Sequence, residues 1–122
     1  MYTIEEINEL LDEVAAELPG EVFADLNGGV GLLPETKLSD ADPGGGLYTL
    51  GEYRQDQMGR YIVIYYGSVC AVHGYDSRDE LRSNLKKLLT HELTHHLESL
   101  AGERDLEIED EMQMDEYLGR RG

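Results

Sequence analysis

The residues with the clearest chemical potential lie between His91 and His96, in the order His-Glu-Leu-Thr-His-His. On an α-helix, residues four positions apart lie one turn apart on the same face, so the imidazoles of His91 and His95 can converge on one ion. Zn²⁺ binds imidazole nitrogens at about 2.0–2.1 Å, and two side chains so placed can reach it together. The spacing therefore predicts a zinc site in which His91 and His95 are two of the ligands.

Glu92 directly follows the first predicted ligand and flanks the same face of the helix. A carboxylate at this position can accept a proton from water that zinc has made more acidic, which is the task of a general base. We therefore predict that Glu92 is the catalytic residue. His96 is rotated by about 100° from His95 around the helix, and we expect it to pack or to support the site instead of binding the metal.

A catalytic zinc site needs a third protein ligand and an open position for water. No histidine follows His96, so the third ligand is expected to be a carboxylate. Gly102 is a natural end for the helix, and beyond it the chain can turn back towards the metal. We predict Asp105 as the third ligand, and Asp110, or another carboxylate after Gly102, is the alternative.

The motif is expected to lie on a helix that begins with a capping box, Ser77 with Glu80, and that ends before Gly102. A second capping box opens a helix over about 3–18, and a third helix is expected over 109–118. The long leucine periodicity of the motif helix indicates that one of its faces is buried.

Strands are predicted at 29–33, 47–50 and 61–66 from their β-branched and aromatic residues and from the glycines and proline that bound them. The last of these is apolar on both faces, so it is expected to lie inside a sheet or beneath a helix. The polar, glycine-rich segment 37–46 is expected to be a loop.

The length of 122 residues corresponds to one domain, which we predict to span 1–122. Acidic side chains outnumber basic ones by 26 to 10, and the resulting formal charge of −16 repels nucleic acid and anionic membranes, so neither is expected as a partner. A single cysteine excludes an internal disulfide, and the N-terminal stretch is acidic and amphipathic. These features predict a soluble, cytoplasmic protein.

The run His-Glu-x-x-His-His within so short a chain resembles the minimal zincin metallopeptidases, a family of small bacterial proteins. The likeness covers most of the chain, at the first helix ending in Leu-Pro, the segment 46–53, the strand 61–66 and the helix ending in LLTHELTHHLESL. It implies an α+β, zincin-like minimal fold, in which a small mixed β-sheet packs against a long motif helix accompanied by N- and C-terminal helices. It also implies zinc held by His91 and His95, with Glu92 as the general base.

The chain departs from the family pattern after the second histidine of the motif. The family places a glycine three residues further on and an aspartate three residues after that, and these positions are held here by Glu98 and Ala101. A Gly-x-x-Asp occurs one helical turn later, from Gly102 to Asp105, and it resembles the same turn displaced along the helix.

The leading hypothesis is a zinc-dependent metallopeptidase that hydrolyses a peptide or protein substrate with zinc-activated water. The alternative is a zinc-binding structural or interaction module with little or no proteolytic activity, which the small size favours. Glu92 separates the two, because a structural zinc site prefers four filled positions and has no use for a base beside its ligands. Hydrolysis of a non-peptide amide would use the same residues.

Overall fold

The structure is a computed structural model that describes residues 1–39 and 47–108, with side chains as far as Glu103. Its elements in chain order are α1 (Ile4–Ala16), a 3-10 turn (Gly20–Phe23), β1 (Gly29–Leu33), β2 (Lys37–Leu38), β3 (Tyr48–Thr49), β4 (Gly51–Asp56), β5 (Gly59–Tyr65), α2 (Tyr66–His73) and α3 (Arg78–Ile108). The described residues form a small α+β protein with a mixed sheet and three α-helices.

Both predicted helix starts are confirmed. The Thr3 hydroxyl accepts a hydrogen bond from the Glu6 backbone N–H at 3.1 Å, and the Glu6 carboxylate accepts one from the Thr3 N–H at 2.8 Å. Ser77 and Glu80 make the same reciprocal pair at 3.2 and 2.9 Å. Each capping box satisfies backbone donors that the first helical turn leaves unpaired, which is why α1 and α3 begin at these residues.

β5 is the central strand of a three-stranded sheet with the order β1-β5-β4. β1 runs parallel to it and β4 runs antiparallel, so β4 is an edge strand. Residues on both faces of β5 are buried, from Ile62 to Tyr65, and this confirms the predicted interior strand. β2 and β3 pair antiparallel in a separate two-stranded sheet.

The hydrophobic core lies between the sheet and the helices α1 and α3. α3 contributes leucines that are four positions apart, a spacing that keeps them on one face. These buried residues are Leu81, Leu85, Leu89 and Leu93. α1 contributes Ile7, Leu10, Leu11 and Val14. Because this face of α3 is fixed in the core, His91 and His95 fall on its exposed flank.

The zincin-like arrangement that the resemblance implies is wrong. The described residues contain no long central motif helix between N- and C-terminal helices, because the motif lies on α3, which is both the longest helix and the last described element. The physical reason lies at Gly102, where the sequence predicts the helix to end. α3 continues through it to Ile108, since a glycine within a helix costs only about 1 kcal/mol relative to alanine. The helix predicted over 109–118 lies outside the described residues.

The sequence does not predict β4 or α2, and it predicts a loop where Lys37–Leu38 form β2. The rest of that predicted loop, 40–46, lies outside the described residues. Among the helices that are described, none has the length and apolar character needed to cross a membrane.

Candidate metal and catalytic site

His91 and His95 lie one turn apart on the exposed flank of α3, and their rings converge. Their Nε2 atoms are 3.2 Å apart, and the rings meet edge to face with centroids 4.7 Å apart and planes at 85°. Two nitrogens that bind zinc at 2.0–2.1 Å with a tetrahedral angle between them lie about 3.3 Å from each other. The separation of the two nitrogens therefore matches two positions of a tetrahedral zinc site.

No third ligand joins this pair within the described residues, where no group of three histidine, cysteine, aspartate or glutamate side chains is placed to hold a metal. The side chain of Asp105 and the whole of Asp110 lie outside the described part of the chain. The predicted turn at Gly102 is wrong, because α3 is continuous there. On a continuous helix the backbone at 105 lies about 15 Å beyond that of His95. Asp105 as the third zinc ligand therefore stays a prediction, and the turn at Gly102 on which it is based is absent.

Glu98 contacts the outer side of the histidine pair. Its Oε1 atom lies 3.4 Å from Nδ1 of His95, the ring nitrogen that faces away from His91. A carboxylate beside Nδ1 favours the tautomer with the proton on that nitrogen and makes the Nε2 lone pair available to a ligand. Glu98 therefore orients His95 towards the position that it shares with His91.

Glu92 is buried beside the pair, with 6% of its surface exposed. Burial raises the pKa of its carboxyl, because an ionised carboxylate loses water there, while the nearby His91 and His95 oppose the rise. The nearby Tyr53 backbone N–H of β4 also opposes the rise in this pKa. A buried carboxylate with a raised pKa beside two imidazoles is suited to proton transfer.

His96 is fully buried, and both of its ring nitrogens are hydrogen bonded. Its Nε2–H donates to the Ala24 carbonyl at 2.7 Å, so Nδ1 is the acceptor for the Tyr53 hydroxyl at 2.9 Å. The prediction that His96 packs instead of binding the metal is confirmed. It joins α3 to β4 and to the chain before β1, and it thereby fixes the motif against the strand.

The motif forms one wall of an open cleft of about 760 Å³, and the edge strand β4 forms the other. α3 comes close to the strand at Gly51, where an added Cβ atom would lie 2.9 Å from the Ile64 side chain and 3.3 Å from that of Leu88. The residues that line the cleft are Gly51, Glu52, Tyr53, Arg54, His91, Glu92, His95, Glu98 and Ser99. The predicted catalytic residues thus face a space large enough for a peptide segment.

A cluster of charged and tyrosine side chains surrounds Glu52 on β4. Lys37 and Arg54 donate hydrogen bonds to its carboxylate at 2.6 and 2.7 Å, and the Tyr65 hydroxyl donates a third at 2.5 Å. Burial alone would raise the pKa of Glu52, but these hydrogen bonds outweigh it and lower the pKa to about 2. The ionised carboxylate therefore holds Arg54 in place at the cleft.

No motif or spacing in the sequence marks Glu52, Tyr53 or Arg54 as part of the site. Their segment is polar and carries no local pattern of a buried strand. A usable signal is the short turn between Asp56 and Gly59, which joins β4 to β5 and in which Gly59 has a φ of 106° that favours glycine. That hairpin places β4 next to β5, and β4 is then a candidate neighbour of the motif helix.

The fold and the site define a class of small α+β proteins with an HExxH helix beside an edge strand. The sequence is 33% identical to that of a solved structure from Thermus thermophilus, described as a conserved hypothetical protein, and the match covers 83% of this chain and 99% of that chain with a TM-score of 0.69. The chain belongs to the same family as that protein. No protein-family model and no curated protein matches the chain.

Proposed function

We propose that the protein is a zinc-dependent metallopeptidase in which His91 and His95 hold the metal and Glu92 is the general base. The observation that carries the proposal is the 3.2 Å separation of the two histidine Nε2 atoms beside a buried carboxylate. Glutamate is rarely buried unless it has a partner or a task, and proton transfer is the task that this position suits. The third ligand is proposed to be a carboxylate after Gly102. Asp105 would need the chain reversal that the continuous α3 lacks, so Asp110 becomes the first candidate and Asp105 the second.

Zinc at this position supplies a Lewis acid that polarises the scissile carbonyl and lowers the pKa of water. Glu92 takes a proton from the attacking water as the water oxygen bonds to the carbonyl carbon. It then gives that proton to the amide nitrogen as the C–N bond breaks, which regenerates the carboxylate. Glu98 keeps His95 turned towards His91.

The edge position of β4 favours a peptide over a compact amide as the substrate. An extended peptide can pair along an exposed strand edge through main-chain hydrogen bonds, and this edge lies beside the motif. The alternative, a zinc-binding module without proteolysis, gives Glu92 no role. A structural zinc site is closed by four ligands, whereas this histidine pair faces an open cleft. We also propose that the protein is cytoplasmic, as its sequence predicts.

Zinc analysis and peptide hydrolysis on the wild type and Glu92→Gln test the proposal. The wild type is expected to bind about one zinc ion per chain and to cleave members of a peptide library. Glu92→Gln should keep the zinc and lose at least about 100-fold in kcat/KM, which is the lower range for a general base. Glu9→Gln, an exposed glutamate on α1, is the matched control and should keep both properties. Equal cleavage by wild type and Glu92→Gln would contradict Glu92 as the general base, and zinc binding without any cleavage would favour the module.

The same zinc measurement identifies the third ligand. Asp105→Ala and Asp110→Ala are compared at a fixed concentration of free zinc, and His91→Ala sets the occupancy of a broken site. Loss of zinc in one aspartate variant alone assigns the ligand to that residue. Full occupancy in both variants would show that another carboxylate completes the site.

A further inference from the structure

Arg54 is the one lysine or arginine among the described residues that line the cleft. Its Nη2 group donates to Glu52 and to the Tyr65 hydroxyl, each at 2.7 Å. The side chain is nevertheless 43% exposed. A guanidinium carries five N–H donors, so these contacts fix its orientation and leave donors for a ligand in the cleft.

The charge of Arg54 is only partly neutralised by Glu52. Lys37 binds the Oε2 atom of the same carboxylate while Arg54 binds Oε1, so one anion serves two cations. The chain as a whole has a formal charge of −16. Arg54 is therefore a fixed positive charge at the cleft of an otherwise acidic protein. It attracts an anionic group of a ligand.

The Arg54 side chain and the motif lie on opposite faces of the sheet, on either side of the edge formed by β4. Gln55 contacts Ser99 on α3, and Glu52 and Arg54 point to the other face because successive side chains of a strand alternate. A peptide that lies along β4 alternates its side chains in the same way. When its scissile bond faces the motif, a side chain next to that bond reaches the face that carries Arg54.

We propose that Arg54 binds a carboxylate of the substrate, so that the peptidase prefers peptides with an aspartate or glutamate side chain, or a free C-terminal carboxylate, next to the scissile bond. The inference rests on the peptidase function proposed above. The planar guanidinium can pair with both oxygens of a carboxylate. Because its orientation is already fixed, it loses little conformational freedom on binding.

The test measures binding on zinc-loaded Glu92→Gln, with N-terminally dansylated alanine pentapeptides as probes. Four peptides are compared: a C-terminal amide, a C-terminal carboxylate, and amides with a central glutamate or a central glutamine. At least one carboxylate peptide is expected to bind about tenfold or more tightly than its neutral counterpart, and the peptide that gains identifies the C-terminus or the side chain as the source. Arg54→Gln in this background should abolish the gain.

Arg82→Gln is the matched control, because it removes the same charge where α3 pairs with Glu13 on α1, and it should keep the carboxylate preference. Arg54→Lys keeps the charge without the planar group and should retain part of the preference. It replaces Arg54→Gln in the test if that variant does not fold.

An unchanged preference in the Arg54 variants, an equal loss in Arg82→Gln, or no gain from any carboxylate would overturn the proposal. Hydrolysis by the wild type without carboxylate preference would remove this role of Arg54 and leave the peptidase function standing. Absence of hydrolysis does not affect the binding result.

Discussion

Neighbouring histidines on α3 have opposite surroundings. The His95 side chain is 49% exposed at the cleft, whereas His96 is fully buried and bonded through both ring nitrogens. The step of about 100° between successive helical residues separates the two environments. One histidine faces the candidate metal position, and the next one anchors the helix that carries it.

This contrast leads to a prediction about stability. His96→Ala is expected to lower the free energy of unfolding by about 2–5 kcal/mol, because it opens a cavity and strips Ala24 and Tyr53 of a buried hydrogen-bond partner. His95→Ala removes an exposed ring and should change the stability of the zinc-free protein by less than about 0.5 kcal/mol, while it abolishes zinc binding. Urea unfolding in the presence of a chelator, followed by zinc titration, measures both effects. Equal destabilisation by the two substitutions would contradict the roles assigned here.

At the scale of single residues, spacing predicts the converging histidines and the adjacent Glu92, because one helical turn decides which side chains can meet. The contributions of Tyr53 and Arg54 depend on which strand lies beside the helix, and no local pattern contains that information. The choice of Asp105 requires a chain reversal at Gly102. Whether a glycine ends a helix depends on the interactions of the residues that follow it, which spacing does not describe.

At the scale of elements, the continuity of α3 through Gly102 gives a prediction with a definite sign. An added Cβ atom at Gly102 meets nothing within 4 Å, so Gly102→Ala is expected to stabilise the protein by about 0.5–1 kcal/mol. If the helix ended there in a left-handed conformation, the same substitution would destabilise it. Thermal unfolding distinguishes the two cases.

Gly67→Ala is the contrasting control for this measurement. Its Cβ atom would collide with the Thr36 side chain and lie 2.9 Å from the Glu35 carbonyl oxygen, where β2 meets the start of α2. The substitution is therefore expected to destabilise by about 1–3 kcal/mol, as overpacking does. Stabilisation by Gly67→Ala would show that this contact is looser than described.

Elements with a strong local pattern are predicted well from the sequence. β1 occupies the predicted residues 29–33, and α1 and α3 begin at their capping boxes. β4 escapes prediction because its residues are polar and form a strand through their pairing with β5. α2 follows β5 directly and has no side-chain cap, so the usual signal for a helix start is missing.

At the scale of the whole molecule, the few basic residues tie distant elements together. The chain has 10 lysines and arginines against 26 acidic residues. The cross-element ion pairs include Arg78 and Arg82 with Glu13, Arg82 and Lys86 with Glu17, Arg60 with Glu103, and Lys37 with Glu52. Exposed pairs of this kind contribute about 0–1 kcal/mol each, so the partly buried Glu52 cluster is expected to dominate the dependence of stability on pH.

Glu52 should contribute stability that acid removes. Its pKa is about 2 in the folded protein against an ordinary value of 4.5. Because the folded-state pKa is the lower one, the contribution is fully present above about pH 4.5 and is lost as the pH falls towards 2. Glu52→Gln is therefore expected to lower the free energy of unfolding at pH 7 by up to about 3 kcal/mol, with a difference from wild type that shrinks between pH 5 and pH 3.

Urea unfolding of the wild type and Glu52→Gln between pH 7 and pH 3 measures the difference in their free energies of unfolding. Glu9→Gln is the exposed control. A difference that is the same at every pH would show that Glu52 acts through packing and not through its charge.

The parallel pairing of β1 with β5 has a consequence for folding kinetics. These neighbours in the sheet lie far apart in the chain, with the β2, β3 and β4 segments between them. The loop-closure entropy must be overcome before the contacts form, which slows the search for the native state relative to a helical bundle of equal length. Until β5 enters the sheet, its apolar run is exposed to other chains, so the refolding yield should fall as the protein concentration rises.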